Sequence, residues 1–205
     1  MIIHNMEQYS DEWWAIRNGK ASASNAKKLV TSTGAASKSM AEYAVELAND
    51  MFAGKSTDSF AGNVHTERGT ELEPEARSNY EMTNQVEIIE TGIITDDLMR
   101  WAASPDGVVG DDGLIEIKCL SPKRHTQALL YFKKNNKAPT DYIAQIQMQM
   151  LLAEREWCDL CLYHPDLPSI TIRNYPDAKI VAGLRAQLVA VDIERNRVLE
   201  ILKEF

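Results

Sequence analysis

Ser104-Pro105-Asp106-Gly107, followed ten residues after the aspartate by Glu116-Ile117-Lys118, sets two carboxylates and one ammonium at a spacing that suits phosphodiester chemistry. Between them run Val108-Val109, then Gly110-Asp111-Asp112-Gly113, then Leu114-Ile115. Glycine and aspartate tolerate positive φ and favour tight turns, so the stretch reads as two short strands joined at 110–113. Side chains alternate faces along a strand. Ile115 and Ile117 are therefore expected to enter a core, with Glu116 and Lys118 together on the other face. The hairpin would fold Asp106 back beside them.

A phosphodiester is anionic and resists attack. Its hydrolysis calls for a hard cation on oxygen ligands that neutralises charge and lowers the pKa of an attacking water. Asp106 and Glu116 suit Mg²⁺ or Mn²⁺, with the Ile117 carbonyl as a third ligand. Lys118 is a compact cation able to orient the water, help deprotonate it, or stabilise the developing pentavalent phosphate. The plain alternative is a surface hairpin carrying an ordinary Glu–Lys pair and a common Pro-Asp-Gly turn. The trio alone does not decide between them.

The elements around the trio must come from one chain of 205 residues, long enough for a substantial core. A hydrophobic content of 44% and a charged content of 25% are ordinary for a globular protein and argue against a disordered one. No apolar run reaches the roughly 18 residues of a membrane span, and Met1-Ile2-Ile3-His4-Asn5 lacks a signal pattern. A cytoplasmic protein with no membrane partner is the expectation. Three cysteines, Cys119, Cys158 and Cys161, make no even disulfide framework. Cys158 and Cys161 fall on opposite faces of a strand-like segment, so they read as small buried residues rather than metal or redox ligands.

Net charge is −8, yet it is unevenly spread. Trp13–Ala41 holds Arg17, Lys20, Lys27, Lys28 and Lys38, and Ile117–Thr140 holds Lys118, Lys123, Arg124, Lys133, Lys134 and Lys137. Those windows contain 11 of the 22 basic residues and none of the 30 acidic ones. A segregated basic lining inside an acidic exterior would channel a polyanion. Two solvated helix faces would give the same count.

No repeat or Pro-rich linker divides the chain, so one domain is expected. It divides into a helical and loop segment over 1–62, a core over 63–175 that holds the carboxylate–lysine trio, and a C-terminal helix over 176–205. An N-terminal aromatic cluster (Tyr9, Trp13, Trp14) precedes a helix capped by Ser24 or Asn25 and starting at Ala26. Residues 31–39 and 54–62 read as loops, with helices over 39–51 and 66–81. Strands are expected at 86–89, 91–95, 100–103, 108–109, 114–119, 157–163 and 169–174. Helices are expected at 122–133, 140–154 and the C-terminus. That order gives an α/β (α+β) fold, a mixed central sheet flanked by helices. On the 140–154 helix, Gln145 and Gln149 fall on one side at about 100° per residue, while Gln147 lies on the apolar arc. A buried amide there needs partners.

These residues resemble the PD-(D/E)xK nucleases, and within them the YqaJ-type viral recombinases of the phage lambda exonuclease kind. Five blocks in order carry the likeness: Trp13-x-x-x-Arg17-x-Gly19 with Ala23-Ser24; Arg68-Gly69-x-x-x-Glu73-x-x-Ala76-Arg77; Ser104-Pro105-Asp106-Gly107; Glu116-Ile117-Lys118-Cys119; and Tyr142-x-Ala144-Gln145-x-Gln147. The resemblance implies Mg²⁺-dependent (Mn²⁺ as substitute) 5′-to-3′ digestion of one strand of linear double-stranded DNA. It also implies a homotrimer around the DNA and a phage single-strand annealing protein as partner. By the same likeness Asp106, Glu116 and the Ile117 carbonyl are metal ligands, Lys118 is the catalytic lysine and Glu73 an additional catalytic acid. Arg17, Ser24, Ser104 and Gln145 match a 5′-phosphate pocket, with Gln147 second to Gln145 for substrate contact. Arg124 matches a basic residue lining the site and Asp96 a supporting acid. An endonuclease of the same superfamily, or a catalytically silent DNA-binding relative, are the alternatives.

Overall fold

Along the chain run β1 (Ile2–His4), α1 (Asp11–Arg17), β2 (Ala21–Ser22), a 3-10 helix (Ala23–Lys28), α2 (Met40–Ala53), α3 (Val64–Asn84), β3 (Ile88–Ile89), β4 (Ile93–Thr95), β5 (Trp101–Ala103), β6 (Gly107–Val109) and β7 (Gly113–Cys119). Then follow α4 (Pro122–Asn135), α5 (Thr140–Ala153), β8 (Trp157–Tyr163), β9 (Ile170–Asn174) and α6 (Ala178–Leu202). The computed structural model describes residues 1–56 and 64–205, residues 64–67 by backbone alone. Most of the loop expected at 54–62 lies outside the described residues.

The strands form two mixed sheets, ordered β1-β4-β5-β2 and β3-β6-β7-β8-β9. The hairpin read from the sequence is present: Gly107 pairs with Ile115 and Val109 with Gly113, antiparallel. One step further along that register brings Asp106 beside Glu116. β7 runs parallel to β8 over its whole length, which buries it in mid-sheet. Gly107 is required by close approach, since a Cβ there would sit 2.2 Å from Cγ2 of Ile88 on β3.

Alternation along β7 and β8 sorts the core onto two faces. Ile115, Ile117, Cys161 and Tyr163 pack against Ala76 and Tyr80 of α3. Leu114, Cys158, Leu160 and Leu162 pack against Ile146 and Met150 of α5. The opposite side of α5, with Ala144, Met148 and Leu152, joins Leu29, Tyr43, Leu184 and Leu188 in another cluster. α5 therefore lies between the second sheet and the helical layer formed by α2, α6 and the 3-10 segment.

Local chemistry sets the ends of these elements. Ser10 caps α1 by accepting from the Trp13 N–H at 3.2 Å, and Asp177 caps α6 through the N–H groups of Lys179 and Ile180. Gly54 and Asn136 close α2 and α4 in the left-handed conformation. The helix expected from Ala26 is instead a 3-10 segment starting at Ala23. Val30 bridges to Ala36 and the Thr31 N–H donates to the Ala35 carbonyl, so the chain leaves the helical path almost at once.

Behind the hairpin, buried Asp159 of β8 accepts from the Tyr80 hydroxyl at 2.7 Å and from both Nε and Nη2 of Arg173 at 2.9 Å. The Arg173 guanidinium lies 3.7 Å above the Trp157 ring. Removing the guanidinium would strand a buried carboxylate. Arg173→Met is expected to cost about 2 kcal/mol, the low side for a broken pair because Arg173 is half exposed. Urea titration of wild type and variant measures it.

Candidate active site

Alternation on β7 turns Glu116 and Lys118 away from the Ile115/Ile117 face, as expected. Glu116 is only 1% exposed. Its Oε1 accepts from Lys118 Nζ and, at 2.5 Å, from Gln145 Nε2; its Oε2 accepts from Gln149 Nε2 at 2.5 Å. A carboxylate this enclosed must be met by donors, and α5 supplies two of them. Across the hairpin, Asp106 Oδ2 accepts from the Ile117 N–H at 2.6 Å and the Asp106 N–H donates to the Ile115 carbonyl at 3.1 Å.

Burial, and then the neighbouring Glu116, push the Asp106 carboxyl well above the usual carboxylate range, against the pull of Lys118. Lys118 shows the reverse balance: burial disfavours its charge, but Glu116 and Asp106 outweigh that and raise its pKa. Glu73 of α3 is also raised, first by burial, with Glu116 adding and Arg77 opposing. Arg77 bonds Glu73 at 2.8 Å and Glu90 at 2.5 Å, and reaches the Asp106 carbonyl at 3.4 Å. Three carboxyl groups thus share a site in which burial disfavours charge.

Arg17 closes the other end of the cleft. Its Nη2 donates to the hydroxyls of Ser22 at 3.0 Å and Ser24 at 2.6 Å, and its guanidinium lies 4.8 Å from the Trp13 ring centroid. Trp13 Nε1 donates in turn to Ser104 Oγ at 3.0 Å. Burial lowers the Arg17 pKa, and none of the ion pairs among the described residues includes it. A guanidinium held by two hydroxyls and in no ion pair among the described residues has the chemistry to receive an anion.

One cavity of about 800 Å³ is lined by Arg17, Ser24, Ser104, Asp106, Glu116, Lys118 and Gln145 together. A second, of about 350 Å³, continues past Asp106 and Lys118 to Glu73, Ile117 and Arg124. The residues singled out from the sequence therefore meet in one cleft, with two exceptions. Gln147 does not reach it: its Nε2 donates to the Tyr175 carbonyl at 2.8 Å and its Oε1 accepts from the Asp177 N–H at 2.7 Å, fastening α5 to the start of α6. Asp96 supports a turn instead, accepting from the Arg100 and Trp101 N–H groups and from Arg100 Nε.

Gln149 was missed as a site residue, although it shares the Gln145 arc. Ser22 and Arg77 were missed too. Arg68, part of the matching blocks, donates to His164 Nε2 at 2.7 Å and anchors α3 to the end of β8. All three cysteines are free, and Cys158 and Cys161 are buried on opposite faces of β8.

Among the described residues no group of three or more His, Cys, Asp or Glu side chains could hold a metal unaided. The site nevertheless suits a divalent cation. Mg²⁺ takes one or two carboxylates and completes its shell with water and phosphate oxygens. Asp106 and Glu116 repel one another in a dry setting that a cation would relieve. No described helix is long and apolar enough to cross a membrane.

Residues 12–156 match the YqaJ-like viral recombinase domain. The fold is similar to that of the alkaline exonuclease LHK-Exo from Laribacter hongkongensis, at 34% identity over 95% of this chain and 97% of that one, TM-score 0.82. The structure of LHK-Exo in complex with dAMP matches at 35% identity and TM-score 0.81, over 95% and 97% of the two chains. A phage-related exonuclease from Haemophilus somnus 129PT shares the fold at 17% identity and TM-score 0.71, over 89% and 96%. No curated protein matches. With more than half of its length matched, the chain belongs to the YqaJ-like viral recombinase family.

Proposed function

We propose that this protein is a Mg²⁺-dependent exonuclease that digests one strand of linear double-stranded DNA from its 5′ end, leaving 3′ overhangs for phage-type recombination by strand annealing. The observation that carries this reading is one cavity holding the Arg17 guanidinium, in no ion pair among the described residues, together with Asp106, Glu116 and Lys118. Family membership and the exonuclease named in the structural relative supply the reaction class.

In this reading Arg17, with Ser22 and Ser24, grips the terminal 5′-phosphate and so fixes which phosphodiester lies against Asp106. Gripping the end sets both register and polarity, because a terminal phosphate held at Arg17 fixes which phosphodiester follows it. Asp106 and Glu116, with the Ile117 carbonyl, would hold the cation; Mn²⁺ fits the same oxygen donors. When bound, it supplies charge neutralisation and a water of lowered pKa. Lys118 remains an ammonium and donates to the phosphate oxygens as negative charge grows on them. Gln145 and Gln149 hold Glu116 in one orientation. Glu73, balanced between Arg77 and Glu116, accepts a proton at the edge of the site, and Arg124 draws the continuing strand along the second cavity. The setting implied is the bacterial host cytoplasm, with a phage or prophage origin. An annealing protein would receive the 3′ strand, and a homotrimer would enclose the DNA.

Asp106→Asn should lower nucleotide release by at least about 10³-fold, as expected for a member of a catalytic unit, with an unchanged circular dichroism spectrum. Digestion of end-labelled linear duplex measures it, and unaltered digestion would remove the site assignment. Arg17→Ala should lower kcat/KM on 5′-phosphorylated duplex by about 10²-fold, the worth of charge-assisted bonds to the phosphate, and leave 5′-hydroxyl duplex nearly unaffected. Covalently closed circles should resist the wild-type enzyme.

Folding raises the Asp106 pKa, first through burial. The folded state holds this proton above the pH at which the unfolded chain loses it. Metal-free stability is therefore full below the ordinary carboxylate range and falls as pH rises through the Asp106 pKa. Mg²⁺ competes with that proton, so the thermal shift it produces should grow with pH. Asp106→Asn should diminish both trends in melting scans with and without Mg²⁺, leaving the part that Glu73 contributes.

A further inference from the structure

Tyr9 stands where the cleft passes from Arg17 to Asp106, and it lines both cavities. Its backbone is in the left-handed region at φ 68, which disfavours a bulky side chain. The other described non-glycine residues there are Gln85, Asn136 and Glu154, which follow helix C-termini, and Met99, in the turn closed by Asp96. Tyr9 instead immediately precedes a helix N-cap. Two clamps impose its conformation. Gln8 Nε2 donates to the carbonyls of Thr91 at 3.0 Å and Pro105 at 3.1 Å, tying the segment to the residue before Asp106, while Ser10 caps α1. One residue must turn sharply between them, and glycine would do so without strain.

A large aromatic residue held in strained backbone over a cleft points to use. The ring rests on Trp13 (centroids 5.3 Å apart) and Trp14 (6.3 Å), and Trp13 is itself fixed by Ser104 and covered by Arg17. Tyr9 still remains 51% exposed. The result is a rigid shelf, backed by indole, beside the path between an anion receptor and the carboxylates.

We infer that Tyr9 is the stacking platform for the 5′-terminal nucleobase. This rests on the proposed reaction: with the terminal phosphate at Arg17 and the next phosphodiester at Asp106, the intervening sugar and base fall beside Tyr9. An aromatic face accepts all four bases, which suits an enzyme that must digest any sequence. The role belongs to the ring. The hydroxyl, whose pKa is raised first by burial and then by Asp106 and Glu73, stays protonated and is not required.

The test compares wild type, Tyr9→Phe and Tyr9→Ala on 5′-phosphorylated linear duplexes whose terminal nucleotide is normal or abasic. Wild type and Tyr9→Phe should each lose about tenfold in kcat/KM on the abasic end, within the range for one base–aromatic stack. Tyr9→Ala should be about tenfold slower on the normal end and indifferent to base removal, so that the two changes couple. Equal losses for wild type and Tyr9→Ala on the abasic end, or a Tyr9→Phe protein as slow as Tyr9→Ala, would overturn the inference. A wild type that ignores 5′ ends would refute the polarity reading, and binding then decides Tyr9 separately. In the Asp106→Asn background, dAMP should bind about tenfold tighter than deoxyribose 5-phosphate with Tyr9 present and equally with Tyr9→Ala. No difference with Tyr9 present would end the proposal.

Discussion

The enclosed Glu116 carboxylate is the constraint from which the rest of the site follows. Stripped of water in mid-sheet, it persists only because three donors reach it, one from its own strand and two from α5. Those bonds fix how α5 crosses the second sheet. The far side of α5 carries Ala144, Met148 and Leu152 into the cluster that holds the 3-10 segment. Ser24 stands on that segment and Ser22 just before it. A single buried acid thereby ties the carboxylate end of the cleft to the Arg17 end, and the distance between the two becomes a property of the core rather than of loops.

Electrostatics divides the cleft in two. At one end carboxyl groups crowd together and burial raises the pKa of Asp106 and Glu73; at the other the Arg17 guanidinium enters no ion pair among the described residues, although Glu46 and Asp50 line the same cavity. A chain of net charge −8 binds a polyanion under these conditions only where cations replace its acidic exterior. The two acid-free windows in the sequence supply part of that. Arg17, Lys20 and Lys28 line the larger cavity and Lys118 and Arg124 the smaller. Lys133, Lys134 and Lys137 do not line either. They occupy the last turn of α4 and the residues after it, where positive charge complements the helix dipole. Clustering along the chain overstated the basic lining because a helix carries its two ends to different places.

What was legible in the sequence was local. A Gly-Asp turn and period-two alternation gave the Asp106/Glu116/Lys118 face, because a hairpin brings near neighbours together without help from the rest of the fold. The α5 glutamines were half legible. Helical geometry placed Gln145 and Gln149 on one arc, but it could not say which neighbour each arc would meet. α5 is packed on both sides, so Gln147 found backbone partners near α6 rather than the site. Asp96 sits near the matching blocks, yet its oxygens are taken by its own turn. The sequence showed Tyr9 only as part of an aromatic cluster, since two of the bonds that hold its backbone join residues 83 and 97 positions apart. Position in the chain shows that a residue type is available, whereas its partners are chosen by packing.

The cleft is also the least comfortable part of the molecule. Arg17 is desolvated with no ion-pair partner among the described residues, Asp106 is held beside a second acid, and Tyr9 occupies a backbone region suited to glycine. Sequences consistent at every level violate local rules chiefly where function requires it. The surroundings hold these residues in place. Arg195 of α6 donates to the Gly19 carbonyl at 3.0 Å, and Gly19, at φ 64, packs so tightly that a Cβ would meet Met51 at 2.0 Å. The turn after Arg17 is thus held from the C-terminal helix while its side chain is held by Ser22 and Ser24. Order imposed in advance leaves little conformational entropy to lose when a phosphate arrives. The strain carried by the free protein is thereby exchanged for orientation in the bound one.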